Sequence, residues 1–317
     1  MKPLCEDIIP VIVTYNPDKV TLIASISALL EQVKIIVIVD NGSDNDVGAL
    51  LQQLQLPQPD ALCFLALHQN FGLGKAFNAG IAIARNMHAA FVLLMDQDSI
   101  PEPDMLQELR RIHTRLSHQE KPVAAVGASY RNQTHEGLAP FTRLTQFGLA
   151  KIHCEGRTDF VQTDFLISSG TLISIQALDQ IGGMDEDLFI DHIDTEWCFR
   201  AQSKGYEVFG ACHAVMRHAL GDRQVRVWLG RWRTIAFHQP FRYYYMFRNS
   251  VLLWKRSYMP SAWKRADKFR TLSALIFFTI FSSNRLANLA MMLKGLWHGF
   301  NNRSGKLLSA SKNSDGN

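Results

Sequence analysis

The sequence predicts an α/β fold with a mostly parallel, Rossmann-like sheet and helices on both faces. The N-terminal half alternates short β-type apolar runs with segments of helical periodicity, which is typical of such a sheet. Each apolar run ends in polar residues, as strands of a ligand-binding α/β sheet do. After residue 222 the composition becomes basic and aromatic, which adds a C-terminal helical region to the prediction.

Four strands are predicted before residue 96. They are IIPVIVTY (8–15), KIIVIVD (34–40), ALCFLAL (61–67) and AAFVLLM (89–95), with helices PDKVTLIASISALLEQ and LGKAFNAGIAIARNM after the first and the third. Ligands bind at the carboxyl ends of strands in open α/β sheets. We therefore expect segments 14–16, 40–43 and 96–98 to converge on one crevice.

The middle of the chain is less regular. A helix is predicted near 103–116, and the stretch 131–159, rich in polar residues, Gly and Pro, is interpreted as a loop or hairpin region. FLISSGTLISI predicts a pair of strands around residues 168–170, and a helix is expected to begin near Ile193. EVFGACHAVM predicts a further strand.

The C-terminal part is strongly basic. From Arg223 to Asn313 it contains seventeen Lys and Arg and a single acid, Asp267. RVWLGRWRTIAF, FRYYYMFRNSVLLWKRSY and LANLAMMLKGLWHGF are interpreted as amphipathic helices. We predict a ligand-binding α/β domain over 1–222 and a basic helical region over 223–317, with a boundary near 221–226 and a disordered polar tail.

Cysteine spacing and hydropathy indicate the compartment. Five cysteines without CxxC spacing argue against a zinc ribbon and a secreted disulfide framework, and favour a reducing compartment. Acids near the start of the chain argue against a signal peptide. The longest apolar stretch, LSALIFFTIF, is too short to span a bilayer, so no transmembrane segment is expected.

Asp96 and Asp98 directly follow the fourth predicted strand, in LLMDQDS. Carboxylates at positions i and i+2 suit Mg²⁺ or Mn²⁺ that also binds a diphosphate, because these ions prefer oxygen ligands. A turn cap followed by a helix start is a purely structural alternative. A phosphatase with an aspartate nucleophile is another, although its motif follows the first strand rather than the fourth.

Two further segments carry candidate groups. In GGMDEDLFIDHIDTEWCFR, Asp194 would lie in the first helical turn and could take a proton from an attacking hydroxyl. Simple helix capping is the alternative explanation. His218 follows the strand EVFGACHAVM, and His213 is an equal candidate for a ligand on chemistry alone.

In order along the chain, VTYN, VDNGS, NFGLGKAFNAG, LLMDQDS, SSGTLI, GGMDEDLFIDHIDTEWCFR and RHALGD resemble the motifs of family 2 glycosyltransferases with the GT-A fold. DQDS with FIDHIDTEWC is most similar to the bacterial rhamnosyltransferase subgroup, and RYYYMFRN resembles it too. The resemblance covers 8–222. It implies inverting transfer of a sugar, first of all L-rhamnose from dTDP-L-rhamnose, to a lipid-linked saccharide in surface polysaccharide (O-antigen or similar) synthesis. A UDP-sugar donor and a non-catalytic nucleotide-sugar-binding scaffold are the alternatives.

The resemblance also implies roles for particular residues. The nucleotide-sugar would be bound by Thr14, Tyr15, Asn16, Asp40, Asn41, Asn70, Gly72, Gly74, Asp96, Ser169 and Gly170. Asp98 and His218 would hold Mg²⁺ or Mn²⁺, which favours His218 over His213. Asp194 would be the general base, but Ile193 stands where the family usually has Glu, so Asp191 is a second candidate.

Basic, aromatic amphipathic helices can bind nucleic acid or a membrane surface, or simply present a solvated face. The resemblance favours the membrane, because acceptors of this subgroup are linked to polyprenyl diphosphate at the cytoplasmic leaflet. We therefore expect no nucleic-acid partner. We expect a cytoplasmic protein bound peripherally to the inner face of the cell membrane.

Overall fold

The alternating apolar runs form the centre of the molecule. The computed structural model describes residues 3–54, 58, 60–132, 137–146, 148–156, 158–218, 224–228 and 232–307. Within these residues, strands β1 (Ile8–Thr14), β2 (Ile36–Asp40), β3 (Leu62–Ala66) and β4 (Phe91–Asp96) pair in parallel in the order β3-β2-β1-β4. All residues of β1 and β2 are buried, as expected for a sheet covered on both faces. The predicted fold class and first four strands are confirmed.

Helices cover both faces of the sheet. Helices α1 (Lys19–Leu30) and α2 (Val47–Gln52) begin after aspartate caps, and α3 (Leu73–Asn86) begins after Gly72. The helix predicted near 103–116 is α4 (Met105–His118). Apolar residues of α1, α2 and α4 pack on one face, while those of α3 pack on the other with α5 (Ile175–Ile181) and α6 (Ile193–Ser203). The helix expected at Ile193 is thus confirmed, whereas α2 was not predicted.

The second half of the sheet is mixed. It consists of β5 (Ser99–Pro101), β6 (Val123–Asn132), β9 (Phe160–Thr163), β10 (Thr171–Ser174) and β11 (Glu207–His218). Strand β10 is antiparallel to both β4 and β6, and β11 is parallel to β6 and antiparallel to β5 and β9. In the predicted loop or hairpin region, β7 (Phe141–Thr145) and β8 (Gly148–Ile152) form a hairpin.

Two expectations for this half need correction. Of the strand pair predicted around 168–170, only the second arm is a strand, namely β10. Strand β10 pairs with β4 on one edge and with β6 on the other, so no edge is left for a first arm. Residues 168–170 form the turn before it, in which Thr171 N donates to Ser168 O. A disulfide joins Cys154 with Cys212, which lie 58 residues apart. The spacing of the cysteines argued against a secreted disulfide framework and did not predict this pair.

The C-terminal region contains three helices among the described residues: α7 (Pro240–Trp254), α8 (Ser261–Phe281) and α9 (Arg285–Phe300). The helix predicted for RVWLGRWRTIAF is wrong, since β12 (Gln224–Trp228) and β13 (Trp232–Ala236) form an antiparallel hairpin there. Its residues alternate in hydropathy with the period of a strand, and Gly230 lies between the two runs.

Two predicted features fall on residues outside the described ranges. They are residues 221–223 of the expected boundary and 308–317 of the expected tail. Helix α8 has 21 residues and is the longest of the three C-terminal helices. In the described part of the chain, no helix combines the length and the apolar character needed to cross a bilayer.

Candidate active site

The ends of β1 and β2 meet through buried polar side chains. Thr14 Oγ1 donates to Asp40 Oδ1 at 2.9 Å, and Asn41 N donates to Thr14 O at 2.7 Å. The Asp40 carboxylate also accepts from Ser43 N at 3.0 Å. These bonds fix the Asp40 carboxylate at the carboxyl edge of the sheet, which is where the sequence predicts a ligand.

Gln97, which lies between Asp96 and Asp98, links the end of β4 to the end of β1. Gln97 Oε1 accepts from Tyr15 N at 2.7 Å, and Gln97 Nε2 lies 3.2 Å from Tyr15 O. The Tyr15 side chain is 45% exposed, so its ring is accessible for stacking. Asn16 N donates to Ser43 Oγ at 2.8 Å, which ties the same turn to β2. Hydrogen bonds therefore join the three strand ends at one edge of the sheet.

Asn70, which follows β3, links the end of β2 with the turn that begins α3. Its Oδ1 accepts from Asn41 Nδ2 at 3.2 Å and from Gly72 N at 3.0 Å. Asn41 Oδ1 in turn accepts from Phe71 N at 2.9 Å. The two amides thus hold the turn that begins α3 against the end of β2.

The glycines of this turn lie against the acid-rich segment that precedes α6. Gly72 has a φ of +94°, and a Cβ there would lie 2.6 Å from Phe189 O. A Cβ at Gly74 would lie 2.8 Å from Asp185 O. Such distances are too short for carbon and oxygen, so both glycines are needed for close approach of two backbones. The approach to a nucleotide that the resemblance implies for them stays a prediction.

Asp96, Asp98 and His218 lie together. Each offers a ligand atom, and these atoms are all within 4.8 Å of one another. The antiparallel pairing of β5 with β11 places His218 opposite Ser99, one residue after Asp98. His213 lies elsewhere: it is exposed on β11, with Nε2 3.6 Å from Asp159 Oδ1. The geometry therefore brings together the predicted pair and adds Asp96 as a third potential ligand.

The buried hydroxyl groups of Ser99 and Ser169 form hydrogen bonds with residues of this cluster. Ser169 Oγ accepts from Asp96 N at 3.1 Å and donates to Ser99 Oγ at 2.7 Å. Ser99 Oγ is 2.7 Å from His218 Nδ1. The hydrogen bond at Nδ1 fixes the orientation of the imidazole, as partners of metal-binding histidines commonly do. Ser169 is buried at the base of the site, and Gly170 follows it in the turn with a φ of +74°.

The electrostatics of the cluster suit a cation. Burial, with added repulsion from Asp98 and Asp194, raises the pKa of Asp96 to about 7. Burial also raises the pKa of Asp98 and lowers the pKa of His218. Two crowded carboxylates beside a neutral imidazole form a donor set that fits Mg²⁺ or Mn²⁺.

Asp194 and Asp191 differ in their surroundings. Asp194 Oδ1 accepts from Thr195 N at 2.7 Å in the first turn of α6, and burial raises the pKa of this carboxyl. Asp191 Oδ1 instead lies 3.2 Å from Arg242 Nη2, in an ion pair with α7. Asp194 is thus a carboxylate with a raised pKa, whereas Asp191 is paired with a cation.

Sequence reasoning missed three residues of the site: Gln97, Ser99 and Arg242. Gln97 and Ser99 lie inside the quoted motif LLMDQDS, but their partners are 82 and 119 residues away. Arg242 opens the quoted RYYYMFRN, and its charge partly offsets the rise that burial causes in the pKa of Asp96 and Asp98. The motifs were therefore a signal for all three, without indicating their contacts.

Comparison with known proteins agrees with this geometry. The family model described as "Glycosyl transferase family 2" matches residues 11–182. The dTDP-rhamnosyl transferase RfbF of Shigella flexneri is 34% identical over 257 residues, which cover 80% of this chain and 82% of that protein. This likeness extends well beyond the matched domain.

Two solved structures share the fold at low sequence identity. The crystal structure of GalNAc-T7 with UDP, GalNAc and Mn²⁺ has 11% identity and a TM-score of 0.59, covering 93% of this chain and 56% of that one. Staphylococcus aureus TarS 1–349 in complex with UDP-GlcNAc has 13% identity and a TM-score of 0.56, covering 93% and 81%. The family match and the relative confirm the predicted resemblance: the chain belongs to glycosyl transferase family 2, and it is a nucleotide-sugar glycosyltransferase with the GT-A fold.

Proposed function

We propose that the protein transfers L-rhamnose from dTDP-L-rhamnose to a polyprenyl-diphosphate-linked saccharide during bacterial surface polysaccharide synthesis, such as that of O-antigen. The observation that carries this proposal is the convergence of Asp96, Asp98 and His218, with Asp194 near enough to influence the pKa of Asp96. The likeness to a dTDP-rhamnosyl transferase supports the donor. In this proposal residues 1–222 form the catalytic domain and 223–317 a membrane-associating region.

Residues at the strand ends would bind the donor. Tyr15 and its neighbours Thr14 and Asn16 would line the base pocket, and the fixed Asp40 carboxylate would accept a hydrogen bond from the base. The remaining donor contacts are assigned to Asn41, Asn70, Gly72, Gly74 and Asp96, with Ser169 and Gly170 beneath the sugar. The support for this assignment is the set of hydrogen bonds that joins residues of this group at the carboxyl edge of the sheet.

The side chains suit an inverting displacement. Asp98 and His218, with Asp96 beside them, would hold Mg²⁺ or Mn²⁺, which when bound neutralises charge on the diphosphate leaving group. Asp194 takes the proton of an acceptor hydroxyl as its oxygen forms a bond to the anomeric carbon. The bond from that carbon to the diphosphate breaks, and its electron pair leaves with the nucleotide. Asp191 is the second candidate for the base.

A donor screen tests this proposal. The purified protein is incubated with dTDP-rhamnose, UDP-glucose, UDP-galactose or UDP-GlcNAc, and release of the nucleoside diphosphate is measured with Mn²⁺ and with EDTA. We expect the highest rate with dTDP-rhamnose and Mn²⁺. A higher rate with a UDP sugar would identify that UDP sugar as the donor instead of dTDP-rhamnose. Nucleotide binding without release of a nucleoside diphosphate from any donor would favour a non-catalytic scaffold.

An exposed apolar face of α8 and α9 supports the membrane part of the proposal. On α8, Phe269, Leu272, Ile276 and Ile280 follow one helical face and are 54–73% exposed. On α9 the exposed apolar residues are Leu286, Leu293, Trp297 and Phe300. Exposed Arg265, Lys268, Arg285 and Lys294 lie on the same two helices. Apolar side chains rimmed by cations are typical of a surface that enters the interface of an anionic bilayer.

Replacing Phe269, Leu272 and Ile276 by Ser is therefore expected to weaken binding to vesicles that contain phosphatidylglycerol. Each exposed cation contributes about 1 kcal/mol at such a surface, so high salt should also release the wild-type protein. Co-sedimentation measures both effects, and Val20→Ser, at an equally exposed apolar residue of α1, is the control. A wild-type protein that stays in the supernatant at low salt contradicts the proposal. Loss of a dimer in the triple variant would instead assign this face to a second copy.

A further inference from the structure

The middle of α7 contains two polar residues that the proposed mechanism does not use. Arg248 and Asn249 are completely buried, in the motif RYYYMFRN. The Arg248 guanidinium donates to Leu188 O at 2.9 Å, to Asp187 O at 3.1 Å and to Gly305 O. Its charge also lies 4.8 Å from the ring centre of Tyr245. A buried cation of this kind is held only by full hydrogen bonding.

Asn249 contacts the same segment of chain. Its Nδ2 lies 2.9 Å from Leu188 O, 2.8 Å from Ile190 O and 3.0 Å from Asp191 O. Its Oδ1 accepts from Arg248 Nε at 3.0 Å, which fixes the direction of the carboxamide. The amide donor of Asn249 thus faces three backbone carbonyls of the segment that leads into α6.

The segment needs such support because its backbone is strained. Phe189, Asp191 and His192 have φ values of 64°, 65° and 64°, in the left-handed region that residues with side chains avoid. Strained positions like these persist only where surrounding contacts hold them, and they cluster at functional sites. Here Asp191 and His192 directly precede the turn that carries Asp194.

Helix α7 contacts this segment at two places along its length. Near its start, Arg242 Nη2 is 3.2 Å from the Asp191 carboxylate, and two turns later Asn249 binds the Asp191 carbonyl. The side chain and the backbone of Asp191 are therefore both held by the C-terminal region.

We propose that Asn249 is a positioning residue for the transfer reaction, whose carboxamide holds residues 188–191 so that Asp194 faces the cluster of Asp96, Asp98 and His218. The proposal rests on Asp194 being the base. A carboxamide fits here: an Asp side chain would put a negative oxygen against carbonyl oxygens, and an apolar side chain would remove the Asn249 donor from the Ile190 and Asp191 carbonyls. The basic helical region thereby completes the active site as well as any membrane contact.

Asn249→Ala tests the proposal. We expect kcat to fall about 100-fold, as for a misplaced catalytic group, with KM for the donor and Kd for the nucleotide within about threefold. Amide hydrogen exchange should speed up in residues 188–195 and stay unchanged in β1 to β4. Asn288→Ala is the matched control, since Asn288 of α9 is also buried in this region, but its Nδ2 donates to Ser282 Oγ, which follows α8. It should lower Tm and leave kcat within about twofold.

Two results would overturn the proposal. One is a folded Asn249→Ala protein with wild-type kcat, and the other is a loss of activity no larger than that of Asn288→Ala at equal folded fraction. Asn249→Ser, which keeps one donor, provides a milder variant should Asn249→Ala fold poorly, and an intermediate kcat is expected. An active Asp194→Asn protein would remove the base assignment, whereas the exchange result for residues 188–195 would still report on the contact itself.

Discussion

Asp194→Asn is expected to lower kcat by about 10²–10⁴-fold, the usual contribution of a general base, while nucleotide affinity changes by less than about threefold. An amide cannot accept the proton of the acceptor hydroxyl but occupies the same space. Turnover with an acceptor and titration with the nucleotide alone measure the two quantities. Asp191→Asn should be milder, because it removes the partner of Arg242 and not the base.

The pH profile adds a second measurement on the same residue. Burial raises the pKa of Asp194, and a base works only when it is deprotonated. The acid limb of kcat/KM should therefore lie above pH 4, the range of an exposed aspartate, and rates should rise as pH increases through this limb. Full activity of Asp194→Asn with an unchanged profile would exclude Asp194 as the base and turn attention to Asp191.

Removing the divalent cation should lower the transfer rate as strongly as Asp194→Asn does. EDTA is expected to abolish transfer, and Asp98→Asn is expected to abolish the thermal stabilisation by Mn²⁺. At about 100 times its Kd, an ion that binds only the folded state adds about 2.7 kcal/mol, which raises Tm by about 4 °C for a chain of this size. Thermal unfolding with and without Mn²⁺ measures this shift. Asp179→Asn, which removes an exposed carboxylate paired with Arg85, should keep it.

Without metal, the raised pKa of Asp96 should make the stability of the protein depend on pH. The folded pKa of Asp96 is about 7, above that of an unfolded aspartate. The folded state then binds a proton that the unfolded state has lost, so stability in EDTA should decrease as pH rises from about 4 to 7. Asp96→Asn should flatten this decrease. An unchanged pH dependence in that variant would contradict the raised pKa.

The parts of the fold that depend on local pattern were predictable from the sequence. Strands β1 to β4 follow from short apolar runs, and the convergence of their ends follows from the general behaviour of parallel sheets. The hairpin at 224–236 was missed because its basic and aromatic residues suggested an amphipathic helix. The prediction of a strand pair around 168–170 was wrong in its first arm, because the pattern does not show that β10 pairs on both sides with distant strands.

The site was predictable to the extent that its residues lie in motifs. Asp98 and His218 were paired from the family resemblance, and the structure brings their ligand atoms together. Gln97, Ser99, Arg242 and Asn249 were not predicted, because each acts through contacts with residues far away in sequence. Side chains that fix other side chains have no periodicity of their own. Their roles become visible only with the tertiary structure.

The glycine turn before α3 also limits how donor preference could be redesigned. A side chain at Gly72 or Gly74 would collide with the backbone of Phe189 or Asp185, in the segment that leads to Asp194. Reshaping that turn for a bulkier donor would therefore displace the segment that leads to Asp194 as well. Tyr15 and Asn16 are exposed instead, so substitutions of their side chains avoid such a collision with the backbone.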